Sequence, residues 1–177
     1  NNSSRERRSV VKVKFSYTDK NRRWQEHGRY LERDSAREGL SFTKDGTSPR
    51  LPELLKEWQS EGDERLIKVI LSPEDSKQVD LREHTLELMK QVECDLKREL
   101  SWAAVKHSNT DNEHVHIVIR GVDKEGEPLK IEKYLGKRLR ERSRELLTNK
   151  LGFRKYNEII SQREAELFDR KLTDTDR

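Results

Sequence analysis

Three of the five histidines in this 177-residue chain lie between positions 107 and 121, in the run His107-Ser-Asn-Thr-Asp-Asn-Glu-His114-Val-His116-Ile-Val-Ile-Arg-Gly121. A neutral imidazole is the commonest protein metal ligand, and it titrates close to physiological pH. His114 and His116 are two apart in a β-branched run, so a strand's side-chain period of two puts both rings on one face. Val115, Ile117 and Ile119 then turn to the other face. The preceding run, Trp102-Ala-Ala-Val-Lys-His107, also reads as a strand. The polar loop 108–113 folds the two into a hairpin that brings His107 to the pair. Three converging imidazoles form a half-shell for a divalent metal, with positions left open for a substrate. His-x-His arises by chance in many strands; the third histidine, on a hairpin, favours metal over coincidence.

Positioning such a site requires a scaffold, and the flanking sequence supplies one. Val10 to Tyr17 alternates as a first strand, and a helix is expected from about Arg22 to Arg33, with Trp24, Gly28 and Leu31 on one face and His27 and Tyr30 on an adjacent one. Residues 40–47 form an irregular connection. Pro49 and Pro52 introduce a helix through Leu54, Leu55 and Trp58 that ends near Gly62. Arg65 to Leu71 is the next strand, followed by Ser72-Pro-Glu-Asp. A long amphipathic helix covers about Leu81 to Leu100, with Leu81, Thr85, Leu88, Val92 and Leu96 on its buried stripe. After the hairpin come a polar turn at 121–127, a brief edge strand at Leu129 to Ile131, and two helices broken at Gly152-Phe153. This order predicts an α+β fold: a mostly antiparallel central sheet with helices packed on its faces.

Composition narrows the class of protein. Charged residues make up 41% of the chain and hydrophobic ones 31%, with a net charge of +4 and a pI near 9.1, a mild basic bias that suits a polyanionic partner. A single cysteine, Cys94, excludes an internal disulfide and fits a reducing cytoplasm. No apolar run reaches membrane-spanning length. Residues 1–9, with Arg5, Arg7 and Arg8, read as a mobile basic arm. Residues 10–158 read as the folded domain, and 159–177 as a charged helix or tail leading to an absent remainder. A start without methionine suits a piece of a longer protein. Cations crowd the helix of Tyr30 (Arg29, Arg33) and the region 137–155, including Arg138 and Arg140. They suit phosphate binding. Glu141 and Glu145, interleaved at ion-pair spacing, equally suit a solvated helix face.

At this point the chain resembles a known family. The run from Trp102 to Gly121, with a histidine, six residues and then histidine–hydrophobic–histidine entering an apolar strand, resembles the third motif of conjugative relaxases, the mobilisation-type HUH endonucleases. Gly28 to Asp34 is similar to their first motif, in which an N-terminal helix presents a nucleophilic tyrosine, here Tyr30. Val69 to Asp75 is similar to the second, whose serine, here Ser72, contacts DNA. The three occur in family order, and the resemblance runs from about Val10 to Glu158. Glu113 stands where relatives often carry proline, Asn109 where some carry aspartate, and Pro73 where some carry an aromatic.

The resemblance implies a palm-like HUH relaxase fold and site- and strand-specific nicking that initiates transfer or mobilisation of plasmid or integrative-element DNA. A metal on His107, His114 and His116, manganese or magnesium with zinc as the alternative, polarises the scissile phosphate, and Tyr30 attacks it. The products are a 5′-phosphotyrosine link and a free 3′-hydroxyl. Asp111, which would orient a histidine ligand, and His27, three before Tyr30, are the candidate base or orienting residues. Arg29, Arg33, Ser72, Arg138 and Arg140 are expected to contact DNA. The implied partners are single-stranded DNA at an origin of transfer, with accessory DNA-binding and coupling proteins. Tyr17, Tyr134 and Tyr156 compete with Tyr30 as nucleophile, Tyr134 most seriously because it precedes a basic helix. Rival readings are an HUH replication initiator or transposase, or a non-catalytic basic DNA-binding domain with a structural metal, although structural sites prefer four closed ligands.

Overall fold

The computed structural model describes residues 5–19, 23–35, 40–108, 112–130 and 132–175. Nine elements organise them: strand β1 (Ser9–Tyr17), helices α1 (Trp24–Ser35) and α2 (Leu51–Ser60), strand β2 (Arg65–Pro73), helix α3 (Leu81–Leu96), strands β3 (Leu100–His107) and β4 (His114–Asp123), and helices α4 (Glu132–Leu151) and α5 (Tyr156–Thr175). A 3-10 turn, Ser76–Gln78, precedes α3. The strands form one sheet in the order β1-β2-β4-β3, and every neighbouring pair is antiparallel. The α+β expectation holds.

Strand alternation divides the sheet into two chemically different faces. Val11, Ile67, Val69, Leu71, Trp102, Ala104, Val115, Ile117 and Ile119 point to one face, where they pack with Leu81, Leu88 and Val92 of α3 and Leu135 and Leu139 of α4. Leu66, Ala103, Val105 and Val118 point to the other and pack with Trp24 and Leu31 of α1 and Leu51, Leu55 and Trp58 of α2. These apolar side chains leave water in two layers, one on each side of the sheet. The second layer contains no residue of β1, so that end of the α1/α2 face stays open.

Helices α1 and α2 are locked together at both ends. The Trp24 backbone N–H donates to Gln59 Oε1 at 3.0 Å, and the Leu51 N–H donates to Glu32 Oε1 at 2.7 Å. Each helix thereby satisfies an orphan N-terminal donor of the other. At the crossing a β-carbon on Gly28 would fall 2.6 Å from the Pro52 backbone nitrogen, so only glycine permits this approach.

Several boundaries differ from the sequence reading, each for a local reason. Helix α3 starts at the Asp80 cap, whose carboxylate accepts from the Arg82 and Glu83 N–H groups. It ends at Leu96, about one turn short of the expected Leu100, because Lys97 turns into the left-handed region at φ 52° and releases Leu100 into β3. The edge strand expected at 129–131 is only an isolated bridge between Val122 and Pro128, with the Leu129 N–H donating to Gly121 O; Ile131 lies outside the described residues. Nor are Arg5 to Arg8 a free arm. Arg7 is buried, and its guanidinium donates to the Gly152 and Leu151 carbonyls at the C-terminus of α4, where a cation meets the negative end of the helix dipole. Residues 1–4 lie outside the described set.

Candidate active site

His114 and His116 leave β4 on the α1/α2 face, and His107, the last residue of β3, leaves on the same face because it shares the parity of Ala103 and Val105. The hairpin register pairs His107 directly with His114 and Val105 with His116. The ring centroids lie 4.5 Å apart for His107–His116, 5.0 Å for His114–His116 and 5.5 Å for His107–His114. One nitrogen from each ring falls within 4.8 Å of the others. His107 is buried; the paired histidines are half-buried.

Hydrogen bonding assigns the tautomers of two of these rings. His107 Nε2 lies 3.1 Å from Leu31 O and His114 Nδ1 lies 3.1 Å from Asn112 O. A carbonyl only accepts, so each of these nitrogens carries the proton. The free lone pairs are therefore Nδ1 of His107 and Nε2 of His114. Metal-ligating imidazoles need this arrangement, with the second nitrogen donating to an acceptor that fixes the ring. The donor set consequently fits a divalent ion, with two rings oriented by main-chain carbonyls rather than by a carboxylate. Asp111, expected in that orienting role, lies outside the described residues.

The Leu31 carbonyl belongs to α1, so the bond to His107 ties the helix of Tyr30 to the histidine cluster. Trp24 and Leu31, both essentially buried, anchor the inner side of α1, whereas Tyr30 is 46% exposed. His27 and Tyr30 stack with centroids 6.3 Å apart, and the Arg33 guanidinium lies 5.7 Å from the Tyr30 ring centre. Burial, and then the charge of Lys68, push the His27 imidazolium down to about 4. His27 is therefore neutral near pH 7. Arg29 is exposed and pairs with Glu26 at 2.6 Å. Ser72 shares strand parity with Ile70, the cross-strand partner of His116, and so sits on the histidine face.

Other expected site residues are not brought together with these. Tyr134 opens α4, in the layer on the far side of the sheet, where its hydroxyl accepts from Arg138. Arg138 also faces Asp95 at 3.6 Å, and Arg140 reaches the Val11 carbonyl. Both arginines belong to the α3/α4 side, so neither joins the histidine cluster. Conversely, a groove of about 260 Å³ between α1 and the sheet is lined by Tyr30, His27 and His116 together with Lys12, Lys14 and Lys68. Those lysines are absent from the sequence-derived site. Their signals were Lys12 and Lys14 alternating in an apolar strand, and Lys68 interrupting another.

An antiparallel α+β sheet with an open three-histidine cluster beneath a helix that carries a tyrosine is the architecture of an HUH-type endonuclease domain. The chain belongs to the relaxase family described as MobA/VirD2-like, nuclease domain, which it matches over residues 43–151, more than half its length. That span contains Ser72 and all three histidines, and it begins after α1 and Tyr30. No curated protein matches the chain. Among the described residues no helix is long and apolar enough to cross a membrane.

Proposed function

We propose that this relaxase nuclease domain nicks one DNA strand at an origin of transfer by transesterification, with Tyr30 as the nucleophile and His107, His114 and His116 as the ligands of a divalent ion, manganese or magnesium. The observation that carries this reading is the hydrogen bond from His107 to the carbonyl of Leu31, the residue next to Tyr30, which couples cluster and nucleophile through one rigid helix. The ion, when bound, supplies positive charge to a non-bridging oxygen of the scissile phosphate.

The protein's own groups account for the remaining chemistry. The Tyr30 oxygen forms a bond to phosphorus while the bond to the 3′-oxygen of the upstream nucleotide breaks, leaving a 5′-phosphotyrosine and a free 3′-hydroxyl. A free phenol is a weak nucleophile near pH 7, because its unperturbed pKa is about 10. The phenolic proton passes to solvent, and His27, neutral and stacked near Tyr30, is the candidate to orient the phenol. Asp111 is a further candidate for orienting a histidine ring. Arg33 and Arg29 on α1, and Ser72 on β2, are placed in this reading to contact the strand. The phosphotyrosine keeps the phosphodiester's energy, so the freed 3′-hydroxyl can attack it and reseal the strand. The surrounding assembly comprises accessory DNA-binding and coupling proteins in the cytoplasm of the cell.

The test is incubation with manganese and a panel of single-stranded origin sequences, followed by denaturing electrophoresis. A covalent protein–DNA band is expected from the native protein and none from Tyr30→Phe. A band of undiminished intensity from Tyr30→Phe refutes the assignment of the nucleophile.

A further inference from the structure

Helix α2 lacks a side-chain cap of its own. Its N-cap position is Arg50, whose side chain makes no capping bond, and Pro52 brings no N–H to the first turn. The cap comes instead from α1. The Glu32 carboxylate accepts from the Leu51 N–H at 2.7 Å and sets a negative charge at the positive end of α2. Gly28, one turn earlier on α1, approaches the same Leu51–Pro52 backbone so closely that a β-carbon would not fit. Residues four apart share a helix face, so Gly28 and Glu32 together seat that face of α1 on the start of α2. The ion pair between Glu32 and Arg50 is loose, at 3.8 Å with the Arg50 side chain largely exposed, and adds little.

The residue before Glu32 is Leu31, whose carbonyl accepts from His107 Nε2–H at 3.1 Å. Its side chain is fully buried in the layer beneath α1 and α2. A rotation or lift of α1 at this turn moves that carbonyl with it. Without the acceptor, the His107 ring is free to exchange tautomers, and nothing keeps its Nδ1 lone pair beside His114 and His116. The other end of α1 is held by a bond of the same kind, from the Trp24 N–H to Gln59 Oε1. Trp24 lies seven residues from Leu31, or roughly 10 Å along the helix axis. Of the two clamps, only the one through Glu32 adjoins the acceptor of His107.

We propose that Glu32 is a positioning residue for the metal centre: by capping α2 from α1 it fixes the Leu31 carbonyl, and through it the tautomer and direction of His107. Its link to a metal rests on the reading of the three histidines as ligands; its hold on the His107 ring does not. The coupling is reciprocal. A seated α1 favours ion binding, and ion binding favours a seated α1.

The experiment measures manganese affinity by calorimetry well below the melting temperature, together with the His107 Nε2–H resonance of the metal-free protein in a nitrogen–proton correlation spectrum. Glu32→Ala is expected to weaken manganese binding about 10-fold, the lower end of the effect of removing a ligand's orienting partner, and to abolish the His107 resonance. Glu32→Gln should restore both, because its amide oxygen still accepts from the Leu51 N–H. Gln59→Ala should lower the melting temperature while leaving the manganese affinity and the resonance native. If Glu32→Ala does not fold, Glu32→Asp, one methylene short of Leu51, takes its place with the same expectation. A native affinity or a persisting resonance in that variant overturns the proposal. So does an equal loss in Gln59→Ala, which indicates a general loosening of the α1–α2 pair. A native protein that binds no manganese refutes the metal reading; the resonance alone then decides the role of Glu32, upheld where the variant loses it and overturned where it persists.

Discussion

The two faces of the sheet use their cations differently. On the α3/α4 side most described cations of α4 meet a carboxylate. Arg142 forks onto Asp95 with bonds of 2.7 and 2.8 Å and also reaches Glu145, Arg144 pairs with Glu6, and Lys150 with Glu83. Asp95 and Arg142 hold each other charged, the carboxyl below its ordinary range and the guanidinium above it, chiefly through this hydrogen-bonded fork. On the α1 side Lys12, Lys14 and Lys68 line the groove beside the histidines. Ion pairing, and not charge count, therefore marks the basic stretch of α4 as a solvated helix face. The cation-rich region 137–155, the most basic stretch in the sequence, is the internally neutralised one.

Substitutions at the cluster should produce the largest contrast between the faces. His116→Ala is expected to lower nicking by about 100-fold or more while leaving the melting temperature of the metal-free protein within a few degrees of native. A collapse of folding would instead mark a structural ion. The next effect concerns acid stability on the opposite side. His84 of α3 is buried, and its Nε2–H donates to Ser143 Oγ at 2.9 Å, which donates to Ser9 Oγ at 2.7 Å. Burial first, then Lys150, push its imidazolium from 6.5 down to about 4. The unfolded chain therefore binds a proton that the folded one rejects, so this stability is full above pH 6.5 and is lost as pH falls toward 4. The loss approaches about 3 kcal/mol by linkage. Thermal melts across that window should show the slope in the native protein and a shallower one in His84→Gln.

Smaller effects sharpen the comparison further. Gly28→Ala forces α1 away from Pro52 and should cost about 1–3 kcal/mol, and because α1 carries Tyr30 the covalent adduct should diminish as well. Melting and adduct gels on one preparation measure both. Arg142→Gln should cost only about 0.5–1 kcal/mol and leave oligonucleotide affinity unchanged. A marked loss of affinity there would break the division of labour between the faces.

The parts of this site legible in the sequence are those encoded by short periodicities. The period of two placed His114 and His116 together, and the helical spacing put Trp24, Gly28 and Leu31 on the inner side of α1 with Tyr30 clear of it. Properties that depend on distant pairing were not legible. The cross-strand placement of Lys14 beside Lys68 arises only from the β1–β2 register, and the acceptors that orient His107 and His114 are main-chain carbonyls, which have no side-chain signature. The end of α3 was overshot because Lys97, not glycine, adopts the left-handed turn. Arg7 read as part of a free arm because its partners, the last carbonyls of α4, lie far along the chain.

The central claim is that the histidine face, with Tyr30 on α1, is the face that reacts. Trapping the protein–DNA adduct with manganese, digesting it and sequencing the nucleotide-bearing peptide tests this directly. The account predicts a nucleotide on Tyr30, in the peptide around Arg29 to Arg33. A nucleotide on Tyr134, across the sheet on α4, would contradict it.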